Sequence, residues 1–272
     1  MKLIGGINHG VKRRIKELTV DKVDFVYRIL SGQSYLPPRT LREFVGGAKG
    51  FNEVGRWFVD EFDRLGLAGP GCAIFDVGCG CGRLAYAFAT SPKLAGRGIT
   101  YVGMDIDRKS VDWCRRNIAS KHPGFSFYHV DMRSVTYNPN GKHETGTYRF
   151  PHAESSFDLV ILTSVFTHLL EDEVRQYFRE LARVLKPGGT VYASFFTYRE
   201  KREALEALPR RKTVFPHFHG NYALESEEFP ENAVAFQEEY LKSMVADAGL
   251  TLKAAPMYGL QDVLLLGRAD RA

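Results

Sequence analysis

Short apolar runs alternate with amphipathic stretches over the last three quarters of the chain. Five runs of five to seven residues have the length and composition of buried strands: Ala73–Val77, Thr100–Asp105, Phe125–Val130, Phe157–Thr163 and Thr190–Phe196. Between the last two runs, apolar residues recur at helical spacing over Glu171–Leu185. Because strands that alternate with helices are typical of a parallel sheet covered on both faces, the pattern predicts an α/β fold.

The C-terminal end of the chain follows a different pattern. Apolar residues over 236–248 again repeat with helical spacing, and Gly249 is a typical helix stop. Two further strands are predicted at Thr251–Met257 and Gln261–Leu266, separated by a short segment that contains Gly259. Since so short a segment cannot form the helical crossover that parallel strands need, we expect these two strands to be antiparallel neighbours.

The remaining stretches suggest how the chain is organised. Residues 1–69 have a helical pattern and no convincing strand, so we expect a helical cap or lid on a sheet domain that spans residues 70–272. Within that domain, the turn residues at the start of 137–150 predict an inserted hairpin. Residues 198–235 are too long for a plain connection, and we expect them to form an excursion that faces the substrate.

Composition limits the class of protein. The 272-residue chain is 44% hydrophobic and 25% charged, which is typical of a globular protein and excludes a largely disordered one. Apolar runs fall short of the roughly 18 residues of a membrane-spanning helix, and residues 1–6 turn polar before a signal-peptide core can form. The cysteines at positions 72, 79, 81 and 114 follow no disulfide or zinc spacing. These features favour a cytoplasmic protein without a membrane span or a bound metal.

A glycine-rich segment follows the first predicted strand. Asp76 and Val77 precede three alternating glycines, Gly78, Gly80 and Gly82, after which a helical stretch begins. Glycine lets the backbone turn sharply and lets a ligand approach without a Cβ in the way, while a helix start offers free N–H groups to a carboxylate or phosphate. The loop therefore predicts a ligand site.

The same loop leaves the identity of the ligand open. Residues 80–85 also match the dinucleotide-binding pattern, and Asp105 lies 23 residues after Gly82, where a ribose-binding acid belongs. One interpretation is therefore a NAD-dependent oxidoreductase, and another is a tight turn without a ligand. The oxidoreductase interpretation does not explain Leu185–Gly189 or the two antiparallel strands at the end of the chain.

Four further elements follow the loop in a fixed order. Asp105 ends the second strand, Asp131-Met132 follows the third, Phe157–Ser164 includes the fourth and Leu185-Lys186-Pro187-Gly188-Gly189 precedes the fifth. With these elements the sequence resembles, over about residues 75–266, the class I S-adenosylmethionine-dependent methyltransferases. The resemblance implies a Rossmann-like, mostly parallel sheet of seven strands whose last strand is antiparallel. It also implies S-adenosylmethionine (SAM) as the cofactor.

The resemblance further implies which residues hold the cofactor. They are Asp76, Gly78, Gly80, Gly82, Asp105, Ile106, Asp131, Met132 and Thr163. By position, Asp105 accepts both ribose hydroxyls, Asp131 accepts the adenine amino group, and Ile106 and Met132 pack on the ring faces. Asp76 shapes the loop or meets the ligand ammonium through water. The competing interpretation of Asp105 and Asp131 is that acids at strand ends are solvated or cap helices.

The acceptor is the least determined part of the prediction. Residues 34–39, 45–47 and 164–169 are similar to a bacterial branch of the superfamily that is attached to small-molecule and glycan pathways. The end of the fourth strand lacks the Asn/Asp-Pro-Pro-Tyr segment used on amides and exocyclic amines, which argues against DNA. We expect a small-molecule acceptor. RNA is the alternative, based on the net charge of +5 and the basic run Arg210-Arg211-Lys212, which could instead be a solvated face.

Histidines are the candidate bases. Methyl transfer depends chiefly on alignment, but an oxygen nucleophile must also lose its proton, and imidazole titrates in a useful range. His168 follows the fourth strand, where substrate meets the methyl group in this fold. The alternative is that His168 is a packing residue without a catalytic role. His217 and His219 lie among aromatic residues and suit either a substrate pocket or a solvated loop. The sequence therefore predicts methylation at oxygen, and it does not indicate an oligomeric state.

Overall fold

The computed structural model describes residues 9–45, 47, 50–135, 137–208 and 211–269. The sequence-based expectations for residues 1–6, Gly46 and Arg210 lie outside these ranges. Within them, none of the helices is long and apolar enough to cross a membrane.

Helices form the described part of the N-terminal region. They span His9–Leu30 (α1), Arg39–Phe44 (α2) and Phe51–Arg64 (α3). The break between α1 and α2 contains two prolines, and the residue before a proline is disfavoured in a helix. Asp24 of α1 joins the two helices, because its carboxylate accepts a 2.7 Å bond from Arg28 and pairs with Arg42 of α2. All three of these charged side chains are buried.

The sheet begins after α3. Its strands are β1 (Ala73–Val77), β2 (Thr100–Asp105), β3 (Phe125–His129), β4 (Phe157–Leu162), β5 (Leu185–Tyr198), β6 (His217–His219), β7 (Tyr222–Leu224), β8 (Val234–Gln237), β9 (Leu250–Leu252) and β10 (Asp262–Arg268). The order β3-β2-β1-β4-β5 is parallel, β10 runs antiparallel to β5, and β9 pairs antiparallel with β10. The predicted mostly parallel sheet with an antiparallel last strand is therefore confirmed.

Helices cover both faces of this sheet. They are α4 (Arg83–Thr90), α5 (Arg108–Cys114, extended by a π-helical turn over Arg115–Ala119), α6 (Glu171–Val184), α7 (Lys201–Leu205) and α8 (Glu238–Asp247). Successive side chains of β1 point to opposite faces: Phe75 packs in a cluster with residues of α6 and α8, and Ile74 packs in a second cluster with residues of α3, α4 and α5. The predicted Rossmann-like α/β fold is confirmed.

Three strands were not predicted. β8, β7 and β6 form an extension on the C-terminal end of β5, where Phe196–Tyr198 pair in parallel with Ala235–Gln237. Among the described residues the sheet therefore has ten strands, and the predicted number of seven is wrong. Residue 236 lies in β8 and not in the helix predicted over 236–248, because Gln237 caps α8 by accepting a 2.7 Å bond from Tyr240 N.

Two predicted strand pairs differ in detail. Residues 137–150, all of them described, contain no hairpin: they form turns, isolated bridges and a 3-10 helix at Thr145–Thr147. The reason is that the loop folds back on its own start, where the Asn138 amide donates to Met132 O at 2.8 Å. The strand predicted over 251–257 ends at Leu252, although Met257 still forms an isolated bridge with Val263.

Candidate active site

A large cavity lies at the carboxyl ends of the central strands. Its volume is about 1030 Å³, at the upper limit of the roughly 300–1,000 Å³ of ligand pockets in proteins. Its wall includes the loop after β1, the end of β2 and the segment after β4, to which α3 and the segment before β10 add residues. Ligands of open α/β sheets bind at this edge, so the fold alone makes the cavity the candidate site.

The glycine loop has the backbone that its sequence predicts. Gly78, Gly80 and Gly82 have φ values of 78°, 52° and 77°, a region that other residues rarely adopt. A Cβ on Gly80 would lie 2.1 Å from Cγ1 of Val45, and one on Gly82 would lie 2.5 Å from Cδ1 of Ile118. Gly78 and Gly80 line the cavity, whereas Gly82 packs against Ile118 and Cys114 and lies outside the lining.

Asp105 is buried at the end of β2 and lines the cavity. Its Oδ2 accepts a 2.7 Å bond from Gly80 N, and its Oδ1 accepts a 2.7 Å bond from Asp107 N. Burial raises the pKa of the Asp105 carboxyl to about 6, while these backbone bonds lower it. The side chain therefore ties the glycine loop to β2 and presents a carboxylate to the cavity.

Asp76, in β1, is more deeply buried, at 1% exposed. Its Oδ2 accepts a short hydrogen bond from the Tyr101 hydroxyl, while Oδ1 is buried and has no partner within the described chain. Burial raises the pKa of the Asp76 carboxyl to about 7; the Tyr101 bond lowers it, and the neighbouring Asp105 charge raises it. Because buried polar atoms are nearly always hydrogen-bonded, an orphan oxygen on a residue that lines the cavity indicates a place for a donor of the ligand.

The other predicted cofactor contacts divide into two groups. Ile106, Met132 and Thr163 line the cavity as expected. Asp131 does not: its Oδ1 accepts a 3.1 Å bond from the Asn138 amide, which lowers the pKa of its carboxyl. Asp131 therefore fixes the shape of the loop after β3, and its contact with the adenine amino group stays a prediction.

His168 lines the same cavity, within the 3-10 helix Phe166–His168. Its Nδ1 lies 2.9 Å from the backbone oxygen of Glu231, and its ring lies edge-on to Tyr137 at 5.5 Å. A carbonyl can only accept, so Nδ1 carries the hydrogen and Nε2 is the basic nitrogen. Within the described chain, Nε2 has no hydrogen-bond partner.

The histidines of β6 are not part of this arrangement. The side chains of His217 and His219 are each 41% exposed and lie 3.8 and 3.5 Å from the Glu227 carboxylate, outside the cavity lining. Their position follows from the pairing of β6 with β7. Arg211 of the predicted basic run is 3% exposed and donates to the carbonyls of Thr197 and Glu203, so its guanidinium fixes the chain.

Several residues in the wall escaped the sequence analysis. Arg83 lines the cavity next to the glycine loop, and Glu231 holds His168 through its backbone. Gln261 accepts from Ser194 at 2.6 Å and is 3.0 Å from the hydroxyl of Ser164, a residue with a φ of 58°. No local pattern marks these positions, because each depends on a partner far away in the sequence.

These residues fit SAM. The ammonium of its methionine moiety requires an acceptor, which the unpartnered Asp76 Oδ1 offers, and its ribose hydroxyls require a carboxylate such as Asp105. Ile106 and Met132 provide apolar surface for a base. When bound, SAM supplies a methyl group on a sulfonium, and the groups of the chain hold and align it.

Comparison with known proteins agrees with this assignment. The sequence model of a methyltransferase domain matches residues 75–193. An arsenite methyltransferase of Aquipseudomonas alcaligenes is 28% identical over 52% of this chain. The matched region spans 38% of that protein, which is less than half of its length.

Solved structures show the same fold. A protein from Pyrococcus horikoshii matches 79% of this chain and 91% of its own with a TM-score of 0.55 at 19% identity. The 1,6-didemethyltoxoflavin-N1-methyltransferase of Burkholderia thailandensis, solved with its substrate and S-adenosylhomocysteine, matches 100% of this chain and 94% of its own with a TM-score of 0.50 at 14% identity. Residues 75–193 therefore match a methyltransferase domain in sequence, and the described chain has the Rossmann-like fold of these solved structures.

Proposed function

We propose that this protein transfers a methyl group from SAM to an oxygen atom of a small-molecule acceptor, with His168 as the base. The observation that carries the proposal is the fixed tautomer of His168. Its Nδ1–H donates to the Glu231 carbonyl, so the basic Nε2 belongs to a ring that lines the cavity of the glycine loop. A hydroxyl acceptor next to this nitrogen can lose its proton as the oxygen attacks the methyl carbon.

The proposed cofactor site consists of residues that line the cavity. They are Asp76, Gly78, Gly80, Asp105, Ile106, Met132 and Thr163. Asp76 accepts from the ammonium and Asp105 accepts from the ribose. Gly82 contributes by letting Ile118 and Cys114 pack closely against the loop. Asp131 is not included, because it lies outside the cavity lining and its Oδ1 accepts from Asn138.

A small molecule is favoured as the acceptor by the charge of the wall. Among the described residues, the lining contains seven carboxylates and two guanidinium groups, an arrangement that disfavours the phosphate backbone of RNA. The named activities of the arsenite and didemethyltoxoflavin methyltransferases, both on small molecules, support the same class.

The test is release of S-adenosylhomocysteine from SAM in the presence of phenols, catechols, alcohols, carboxylic acids and amines, with unmodified tRNA as the nucleic-acid arm. With the acceptor so found, His168→Asn should lose about 10²-fold or more in turnover. Its SAM affinity by calorimetry should stay within about twofold.

The matched control is His217→Asn, which changes a histidine outside the cavity and should leave turnover and affinity unchanged. Equal losses of turnover and SAM affinity in His168→Asn would make His168 a structural residue. Turnover on tRNA alone, with a steep salt dependence, would replace the small-molecule proposal by RNA methylation.

A further inference from the structure

Arg83 is the first residue of α4 and lines the cavity directly after the glycine loop. One of its three nitrogens, Nη2, donates to the described chain: it lies 2.6 Å from Val45 O and 3.4 Å from Gly47 O. The guanidinium carbon lies 5.6 Å from the centre of the Phe51 ring. The side chain is therefore held in place by neutral groups.

The charge of Arg83 is not balanced by the described protein. No carboxylate lies within ion-pair distance of its guanidinium among the described residues, and its Nε–H is buried without a partner. Burial lowers the pKa of this guanidinium. Arg28 and Arg183, which are also shielded from water, each pair with a carboxylate at 2.7 and 2.6 Å. Since shielded charges are normally paired, Arg83 lacks an anion.

We propose that Arg83 binds the carboxylate of the methionine moiety of SAM. The inference deepens the proposed cofactor site and rests on it. The second guanidinium of the lining, Arg133, already lies 3.5 Å from Glu144. Asp76, with its orphan oxygen, stands at the other end of the Gly78–Gly82 loop. The loop is thus flanked by an acceptor for an ammonium and a donor for a carboxylate, which matches an amino acid end group.

Two ligands that differ in one carboxylate test the assignment. S-adenosylhomocysteine and S-adenosyl-3-thiopropylamine share every group except that carboxylate, and calorimetry gives the affinity of each. Wild-type protein should prefer S-adenosylhomocysteine by roughly ten- to a hundredfold, the usual effect of one charge-assisted pair. In Arg83→Met the preference should fall to about threefold or less while the affinity for the thiopropylamine changes by less than about twofold. Arg83→Lys should restore part of the preference.

Other results would overturn the assignment. An equal loss of affinity for both ligands in Arg83→Met would show that Arg83 only supports the loop at Val45–Gly47. A preference unchanged in Arg83→Met would place the carboxylate elsewhere. If wild-type protein binds neither ligand, the proposed cofactor site itself is wrong. Arg133→Met is the matched control and should keep the wild-type preference.

Discussion

The carboxyl of Asp76 gives the sharpest prediction, because it is buried and only half satisfied. Replacing it by asparagine keeps the size of the side chain and an oxygen to accept from the Tyr101 hydroxyl, but removes the ability to ionise. Burial raises the pKa of this carboxyl to about 7, from an ordinary value of 3.8. The substitution thus changes the response of the protein to pH more than its packing.

The sign and size follow from proton linkage. Between about pH 4 and pH 7 the unfolded chain has lost the Asp76 proton while the folded protein still holds it, so the wild-type free energy of unfolding falls by about 1.4 kcal/mol per pH unit. The loss is complete above pH 7 and amounts to about 4 kcal/mol at most. Asp76→Asn has no carboxyl to titrate at this position, so its free energy of unfolding does not fall for this reason. Relative to wild type, the ligand-free variant should therefore gain stability as the pH rises from 5 to 8.

Urea unfolding without ligand, at steps between pH 5 and pH 8, measures the difference directly. The control is Asp158→Asn. Burial raises the pKa of the Asp158 carboxyl, but hydrogen bonds from Lys186 and from Ala73 N outweigh burial and lower this pKa overall. Ionised Asp158 therefore stabilises the folded protein, and Asp158→Asn should have a lower free energy of unfolding than wild type above the pKa of Asp158. Parallel stability profiles for Asp76→Asn and wild type would refute the reasoning. SAM should meanwhile bind the stabilised variant more weakly, most clearly at pH 8, because its ammonium loses a carboxylate.

Two further predictions concern the glycine loop. Asp105→Asn places an NH₂ group opposite one of two backbone donors, Gly80 N or Asp107 N. The substitution should therefore lower the free energy of unfolding in urea by about 1–3 kcal/mol and weaken SAM binding in calorimetry. Unchanged SAM affinity would show that Asp105 is not part of the site. Gly80→Ala places a Cβ 2.1 Å from Val45 Cγ1, on a residue with a φ of 52°, and should lower both Tm and SAM affinity. The additional substitution Val45→Ala should recover part of both losses. No recovery would mean that backbone strain alone is responsible.

Much of the fold was predictable because local pattern and tertiary structure agree in the first strands. β1 to β4 lie within one residue of the apolar runs that predicted them. β5 is longer than predicted, since Pro187-Gly188-Gly189 has the composition of a turn; Leu185 nevertheless pairs with Phe157 across a register shift. The strands β6 and β7 have three residues each, too few for a periodic signal, and exist because β6 pairs with β7 and β7 pairs with β8.

The residues of the candidate site were likewise predictable from the sequence only in part. Asp76, Asp105 and His168 could be placed from the sequence because the ends of parallel strands meet at one edge of a sheet. Asp131 could not, because its hydrogen bond depends on the path of the loop to Asn138. Arg83 stood within the glycine motif, yet its surroundings depend on the Val45 carbonyl, 38 positions earlier in the chain.

The long strand β5 pairs with β10 through Val191–Phe195 and with β8 through Phe196–Tyr198. The chain leaves the sheet after residue 198 and re-enters it in β8, the neighbour of β5. Between these two strands it contributes Thr213, Glu225 and Ala233 to the cavity wall. Acceptor choice and base orientation are consequently coupled in one segment, since residues 199–233 also contain Glu231, whose carbonyl binds His168. Grafting the corresponding segment of a related enzyme at these two anchor points would therefore alter the choice of acceptor, and it would keep the base aligned only if the grafted segment places a carbonyl where Glu231 has one.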